Sequence, residues 1–398
     1  MFSSVSHRDF RLLLIGTFGT QFGQWTQQIG RGLLTWNLTK SEFQLGLVSM
    51  SMGLAMFLAA PIGGVLSDRF DRRKVIMVSQ VCLMANAMAT ALLVAFDAIT
   101  LSELYILSFT NGALFAINGP SRQAIIFEIV GKRDLANAIA LNSVVMNSMR
   151  VIGPAVGGAM VATVGIEGTF YTQAGGYVIS LGSVVFMGYS STGRKKETGS
   201  FMGNMADGLR YIRRTEVVGT LLIISVIGSL MGMSFLPLMP AYVDHVLHLS
   251  DSAFGYLMAC VGAGAMVGSI FVAATGGTTG KGMLLLGGVI GTGALLLALG
   301  GLPVVAVVAV ALAGLGLCNA ITLALCNTLL QMNLQDEYRG RVMSIYFLTF
   351  GLSSFGSLAL GSVAEVIGLR ISLVGLGALV LALILLVSFR FPRVRQLQ

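Results

Sequence analysis

Residues 63–75 read GGVLSDRFDRRKV, six charged side chains in thirteen positions, within a 398-residue chain in which Asp, Glu, Lys and Arg make up only 11%. On either side the sequence is apolar for about 20 residues, the length a helix needs to cross ~30 Å of hydrocarbon. A short charged turn between two such runs reads as the connection of a membrane hairpin. The same alternation fills the chain: apolar residues reach 55% and mean hydropathy is +0.84, whereas a soluble domain carries roughly 25% charged residues. No stretch is polar enough to form a large water-soluble domain with an activity of its own.

Apolar runs bounded by charge, Gly and Pro predict twelve spans, near 10–36, 44–66, 75–96, 103–130, 135–162, 169–189, 216–244, 251–275, 282–300, 303–333, 342–364 and 369–389. With both termini on the cytoplasmic side, 20 of the 25 Lys and Arg fall inside; Lys40 and Arg370 fall outside, and Arg31, Arg122 and Arg150 fall within spans. That asymmetry is the positive-inside signal, so the net charge of +8 reports orientation and lipid contact rather than a nucleic-acid partner. The first residues, MFSSVSHRD, lack the apolar core and small-residue site of a removable signal peptide.

The longest polar connection divides six spans from six, giving an amino-terminal bundle (1–190), a cytoplasmic linker (191–215) and a carboxyl-terminal bundle (216–398). Within the linker Phe201, Met205, Leu209 and Ile212 have helical spacing with arginines between them, the pattern of a helix lying in the membrane interface. The halves also resemble each other. GLVSMSMGLAMFLAAPIGGV (46–65) matches GYLMACVGAGAMVGSIFVAA (255–274) at an offset of 209, and GPAVGGAMVATVG (153–165) matches GSLALGSVAEVIG (356–368) at 203. The expected fold is therefore an all-α integral membrane protein of twelve transmembrane helices in two repeated six-helix bundles, with a site near midplane, the plan of one large class of secondary transporters.

In the opening stretch the basic residues follow the positive-inside bias, which leaves Gly64, Asp68 and Asp71 to be explained. A glycine at the end of a span admits another backbone, and an aspartate beyond it can face the positive end of a neighbouring helix. GGVLSDRFDRRKVIM resembles the signature loop of the major facilitator superfamily, a Gly-x-Leu-Ala-Asp-Arg-x-Gly-Arg-Arg pattern between spans 2 and 3. Asp71 in place of its glycine is similar to the subfamily of enterobactin exporters and macrolide efflux proteins. The resemblance implies the major facilitator fold and an inner gate formed with span 11, here Gly64, Asp68, Arg69, Arg72 and Arg73. In span 5, RVIGPAVGG (150–158) resembles the antiporter element Gly-Pro-x-x-Gly-Gly, matched by Gly153, Pro154, Gly157 and Gly158. The same residues also serve plain close packing and a helix bend. The stretch 119–143 is similar to the exporters' connection between spans 4 and 5. One element departs: where many proton antiporters carry Arg-x-x-Gln-Gly in span 4, this chain has SFTNG, with Ser108 and Asn111 in place of the arginine and glutamine.

A charge within a bilayer costs ~2.5–3.5 kcal/mol on insertion scales, so each needs a reason. Gln21, Gln24, Gln28, Arg31 and Thr35 follow steps of 3, 4, 3 and 4 and form one stripe along span 1. Span 4 adds Asn111, Asn118 and Arg122, and span 5 places Asn142 and Arg150 on one face. Gln21, Gln24, Gln28, Arg31, Asn111, Asn118 and Arg150 are thus candidates to line a cavity of positive potential, with helix cross-linking as the alternative role. Arg122 and Glu128 form a candidate gate or coupling pair. The carboxyl half offers Met231, Met233, Met258, Phe347 and Phe350, suited to varied apolar shapes or to packing.

Three histidines (His7, His245, His248) and four cysteines (Cys82, Cys260, Cys318, Cys326) lack metal spacing, and no nucleophile motif or phosphate-cradling loop occurs. The expectation is a non-enzymatic protein without cofactor or metal. It would be a monomer in a bacterial-type plasma or inner membrane, exporting amphipathic small molecules such as drugs or siderophore-like metabolites by alternating access, with H+ as the coupling ion. A lysolipid or lipid flippase, or a membrane scaffold or sensor without turnover, are the rival readings.

Overall fold

The computed structural model describes residues 3–189, 201–274 and 280–397, and among these every regular element is helical. Three helices, α1 (Arg8–Thr39), α2 (Glu42–Arg69) and α3 (Arg72–Ala95), cover the first three expected spans. Next comes α4 (Leu101–Val164), 64 residues in two arms that meet at Gly131, whose φ of 67° and ψ of −177° are non-helical. Spans 4 and 5 are therefore joined by a single residue, and glycine supplies the positive φ there without a Cβ clash. α5 (Ile166–Val185) follows, then α6 (Phe201–Arg214), a helix over the amphipathic part of the linker.

In place of the single span expected over 216–244, the chain is interrupted. α7 (Glu216–Leu230) ends in turns and is followed by a 3-10 turn at Leu236–Leu238, a one-turn α8 (Met239–Ala241) and a π-type turn at Tyr242–Val246. Gly232, Pro237 and Pro240 account for this, since a proline removes a helical N–H and clashes with the carbonyl one turn back. α9 (Asp251–Ala274), α10 (Lys281–Gly301), α11 (Val305–Asn333), α12 (Asp336–Ile367) and α13 (Leu369–Arg390) complete the expected spans.

Among the described residues, α2, α3, α9, α10, α11 and α13 are long and apolar enough to cross a membrane on composition alone. α1 and α5 fall below that level because they carry amide and hydroxyl side chains. Those side chains need a polar surrounding, and the packing of the amino-terminal unit supplies it.

The chain forms two compact units, Met1–Thr39 with Ser51–Glu197, and Lys40–Met50 with Thr198–Gln398. Residues 40–50, placed by the sequence reading in the amino-terminal bundle, group with the second unit. In the first unit α1 lies against α5 at small residues: a Cβ on Gly19 would meet the backbone of Gly176, one on Gly23 that of Gln173, and one on Gly30 the side chain of Thr169. Between helices in lipid, van der Waals contact rather than water exclusion holds the pair, and glycine maximises it. Phe10, Leu13, Ile76, Ile125 and Val184 close one end of this unit as a buried apolar cluster.

The repeat seen in the sequence has structural counterparts inside each unit. Gly153 of the second α4 arm packs on Trp25 of α1, and Gly356, 203 positions later, packs on Leu230 of α7. Gly112 meets Met52 of α2, and Gly316 meets Val261 of α9. Gly165 and Gly368, again 203 apart, both adopt a φ of 86° at the turn into the last helix of their unit.

Candidate functional site

The charged stretch is a tight turn, and two of its basic residues, Arg72 and Arg73, are occupied within the first unit. Asp71 caps α3, its Oδ1 accepting the backbone N–H of Arg73 at 2.9 Å, which satisfies one of the orphan donors of a helix start. Arg72 donates to Glu128 Oε1 at 2.5 Å, both side chains being only 12–14% exposed, and to the Ser67 carbonyl at 3.3 Å. Glu128 also accepts the Tyr189 hydroxyl. Arg73 spreads its guanidinium over three carbonyls at the end of α5: Val184 (3.2 Å), Val185 (2.8 Å) and Tyr189 (3.2 Å). Asp68 and Arg69 are exposed.

Two expectations are corrected here. Arg122 and Glu128 do not meet, because Glu128 is held by Arg72 and Tyr189 while Arg122 is bonded elsewhere. The close helix approach assigned to Gly64 falls one residue earlier: a Cβ on Gly63 would lie 2.8 Å from Ala116 O and Ile117 Cα, whereas one on Gly64 would meet nothing within 4 Å.

Arg122, on the first arm of α4, donates to Asn118 Oδ1 (3.0 Å), Thr17 Oγ1 (3.2 Å), Thr20 Oγ1 (3.3 Å) and Ser180 Oγ. Asn118 donates in turn to Ser79 Oγ at 2.6 Å, and Gln80 to Thr20 Oγ1 at 3.1 Å. Three helices, α1, α4 and α5, thus meet at one guanidinium, and α3 joins through Asn118 and Thr20. Farther along α1, Gln24 Oε1 accepts from Gln173 (3.0 Å) and from the Tyr177 hydroxyl (3.1 Å). Tyr177 is fully buried.

Arg31 itself is 8% exposed; its Nη2 reaches Met52 Sδ at 2.9 Å, while its Nη1 is buried without a hydrogen-bond partner. Gln27 Oε1, one turn earlier, is likewise buried and unpartnered. Of the remaining stripe, Thr35 is buried and bonds the Arg31 carbonyl at 2.7 Å, and Gln21 and Gln28 are half-buried. Asn111 is 1% exposed. The side chain of Arg150 lies outside the described residues. In the antiporter-like element, Gly153 and Gly157 carry α4 onto Trp25, Thr26 and Ile29 of α1, Gly158 is buried and Pro154 sits within the helix.

The structure therefore brings Gln24, Arg31, Asn111, Asn118 and Arg122 into the interior of one unit. It adds Thr17, Thr20, Gln27, Gln80, Gln173, Tyr177 and Ser180, which the sequence reading left out. A signal for part of this was present: Thr17, Thr20, Gln24, Gln27 and Arg31 also step by 3, 4, 3 and 4. Tyr177 and Ser180 sit in an apolar run and carry no such mark.

Comparison with known proteins gives a consistent picture. A family model described as "Transmembrane secretion effector" matches residues 1–398. The staphyloferrin A transporter of Staphylococcus aureus is 23% identical over 91% of each chain. The enterobactin exporter EntS of Shigella boydii is 26% identical, covering 78% of this chain and 74% of that one. An uncharacterised MFS-type transporter, YfiS, of Bacillus subtilis is 24% identical over 47% of this chain and 45% of its own, so that match spans about half of each protein. Among solved structures, a bacterial homologue of the human lysosomal transporter Spinster superposes with a TM-score of 0.75 at 15% identity over 98% of both chains. The nucleoside transporter NupG gives 0.73 at 12% identity over 97% of this chain and 99% of that one. At these identities the two structures establish the fold alone.

Proposed function

From the premise that the chain belongs to the transmembrane secretion effector family of the major facilitator superfamily, we propose that this secondary transporter exports amphipathic small molecules by alternating access, in antiport with protons. The observation that carries the reading is the buried amide, hydroxyl and guanidinium network on α1, α3, α4 and α5, in a chain otherwise among the most apolar. Buried polar groups in a membrane helix mark a substrate or ion path by default. The similarity to a staphyloferrin A transporter and to an enterobactin exporter supports a siderophore-like substrate. In this reading Gly64, Asp68 and Arg69, at the exposed turn, form the cytoplasmic gate. Arg72 and Arg73 hold the turn in place, the protein works in a bacterial plasma membrane with both termini inside, and one chain suffices.

The test is flux in liposomes containing the purified protein under an imposed pH gradient, with drugs, siderophores and lysolipids offered in turn. Substrate-dependent proton movement supports the proposal. Lysolipid movement indifferent to the gradient replaces it with a flippase, and binding without flux of any compound replaces it with a sensor.

A further inference from the structure

We infer that Arg31 is the seat for the anionic group of an apolar-bodied organic acid, so that the transported compound carries a negative charge while bound. The inference rests on the transporter reading above and specifies its substrate chemistry. Its starting point is charge balance in the first unit. Two of the described guanidiniums, those of Arg31 and Arg122, which stay protonated in proteins, lie in its interior, and among the described residues neither has a carboxylate partner. The described acids of the unit are engaged elsewhere, stand at helix starts or lie at its surface: Glu128 with Arg72, Asp134 with His7, Asp71, Glu103 and Glu167 at the starts of their helices, and Asp9 on the Gly188 N–H. Asp68 and Asp97 are exposed.

The two arginines differ in what they have left to give. Arg122 is bonded to four neutral oxygens on α1, α4 and α5, which fix its plane as a strut between helices. Arg31 is held only by a thioether at Nη2 and keeps Nη1 buried and unbonded. A buried donor left in this state is costly, and a carboxylate, sulfonate or phosphate would take up the donor and the charge together, in the strong charge-assisted geometry that arginine favours. Arg31 stands eight residues before the end of α1, about 12 Å along the helix. That depth favours a substrate group over a headgroup anchored at the interface.

The experiment uses full-length protein in phosphatidylcholine nanodiscs, titrated with 1-pyrenebutyrate, 1-pyrenebutyramide and 1-pyrenebutylamine. These share one aromatic body and differ in charge. The only two tryptophans in the sequence, Trp25 and Trp36, are both on α1, so energy transfer from tryptophan to pyrene reports occupancy beside Arg31. The butyrate is expected to bind about tenfold or more tightly than its amide or amine, Arg31→Gln to bring all three within about twofold, and Arg31→Lys to retain the preference for the anion. Equal affinities in the wild type, binding of none of the probes, or an anion preference that survives Arg31→Gln would each overturn the inference. Exchanging part of the lipid for phosphatidylglycerol is expected to leave the butyrate affinity unchanged; loss through competition would assign the site to a lipid headgroup instead. Liposome flux without any anion preference would remove the inference and leave the transporter reading standing, whereas anion binding with no flux of any compound would do the reverse.

Discussion

Arg73 is one side chain with three carbonyl partners, and that makes it a support rather than a moving part. Replacing it by glutamine leaves the end of α5 with unpaired carbonyls. A charged hydrogen bond contributes about 1.5–3 kcal/mol, less where water reaches it, so Arg73→Gln is expected to cost about 2 kcal/mol, read as a lower Tm in detergent. Asp68→Asn tests the opposite role: Asp68 is exposed, so stability should stay within about 0.5 kcal/mol while gradient-driven flux falls. Normal turnover in a well-inserted Asp68→Asn protein would remove it from the gate. The sequence could not separate these two residues, because both sit in one charged turn that the family resemblance reads as a single gate. Which carbonyls come within reach of Arg73 depends on α5, more than a hundred residues later. The same distance in sequence hid Tyr177 and Ser180, whereas the arginines and amides of α1 were legible because a charge or amide in an apolar run is itself the signal.

Helices interpret glycine by its neighbours. Gly63 faces the backbone of Ala116 and Ile117, and Gly64 faces open space. Gly63→Val should therefore lower Tm or yield, the cost of overpacking being about 1–3 kcal/mol, while Gly64→Ala should leave both intact; equal effects would mean that the α2–α4 contact is misassigned. At the other end of α2, within the second unit, Glu365 receives the Ser41 hydroxyl at 3.0 Å and the Phe43 N–H at 3.1 Å. Partial burial pushes its pKa up, but the hydrogen bonds from Phe43, Ser41 and Glu42 outweigh this and hold it below the ordinary value. A carboxylate with a depressed pKa stabilises above the unfolded-state value and loses that contribution as pH falls through the folded one. Accordingly, Glu365→Gln should lower Tm at neutral pH, and the gap from wild type should close as the pH drops below the usual carboxylate range. A gap independent of pH would show that the charge plays no part. Span existence was legible throughout because hydropathy integrates over about 20 residues. The interruption of span 7 escapes that average, because Pro237 and Pro240 break the helix without making the run any less apolar over its length.

At the scale of the molecule, duplication is the economical account of the fold. The shared offset of 203 recurs as the same fifth-on-first helix packing and the same glycine turn in each unit. Only backbone conformation could show that a faint Gly pattern has this meaning. The two units have nevertheless diverged in chemistry: the first buries Arg31, Arg122 and their amides, while the second keeps hydroxyl contacts such as Ser225 to Thr349 at 3.0 Å. Their pairing in a transport cycle predicts that export of an anion outpaces that of its neutral amide in the liposome assay, and that Arg31→Gln brings the rates together; a neutral amide exported as fast as the acid by the wild type would refute the charge role. The lone guanidinium also has an electrical consequence. With an anion bound, the Arg31 site is neutral; once the anion has left, it carries a positive charge inside the membrane's field, where one elementary charge is worth ~2.3 kcal/mol per 100 mV. An interior-negative potential then acts on the emptied carrier rather than the loaded one, drawing it back toward the cytoplasm, so that membrane voltage would set the pace of the return stroke.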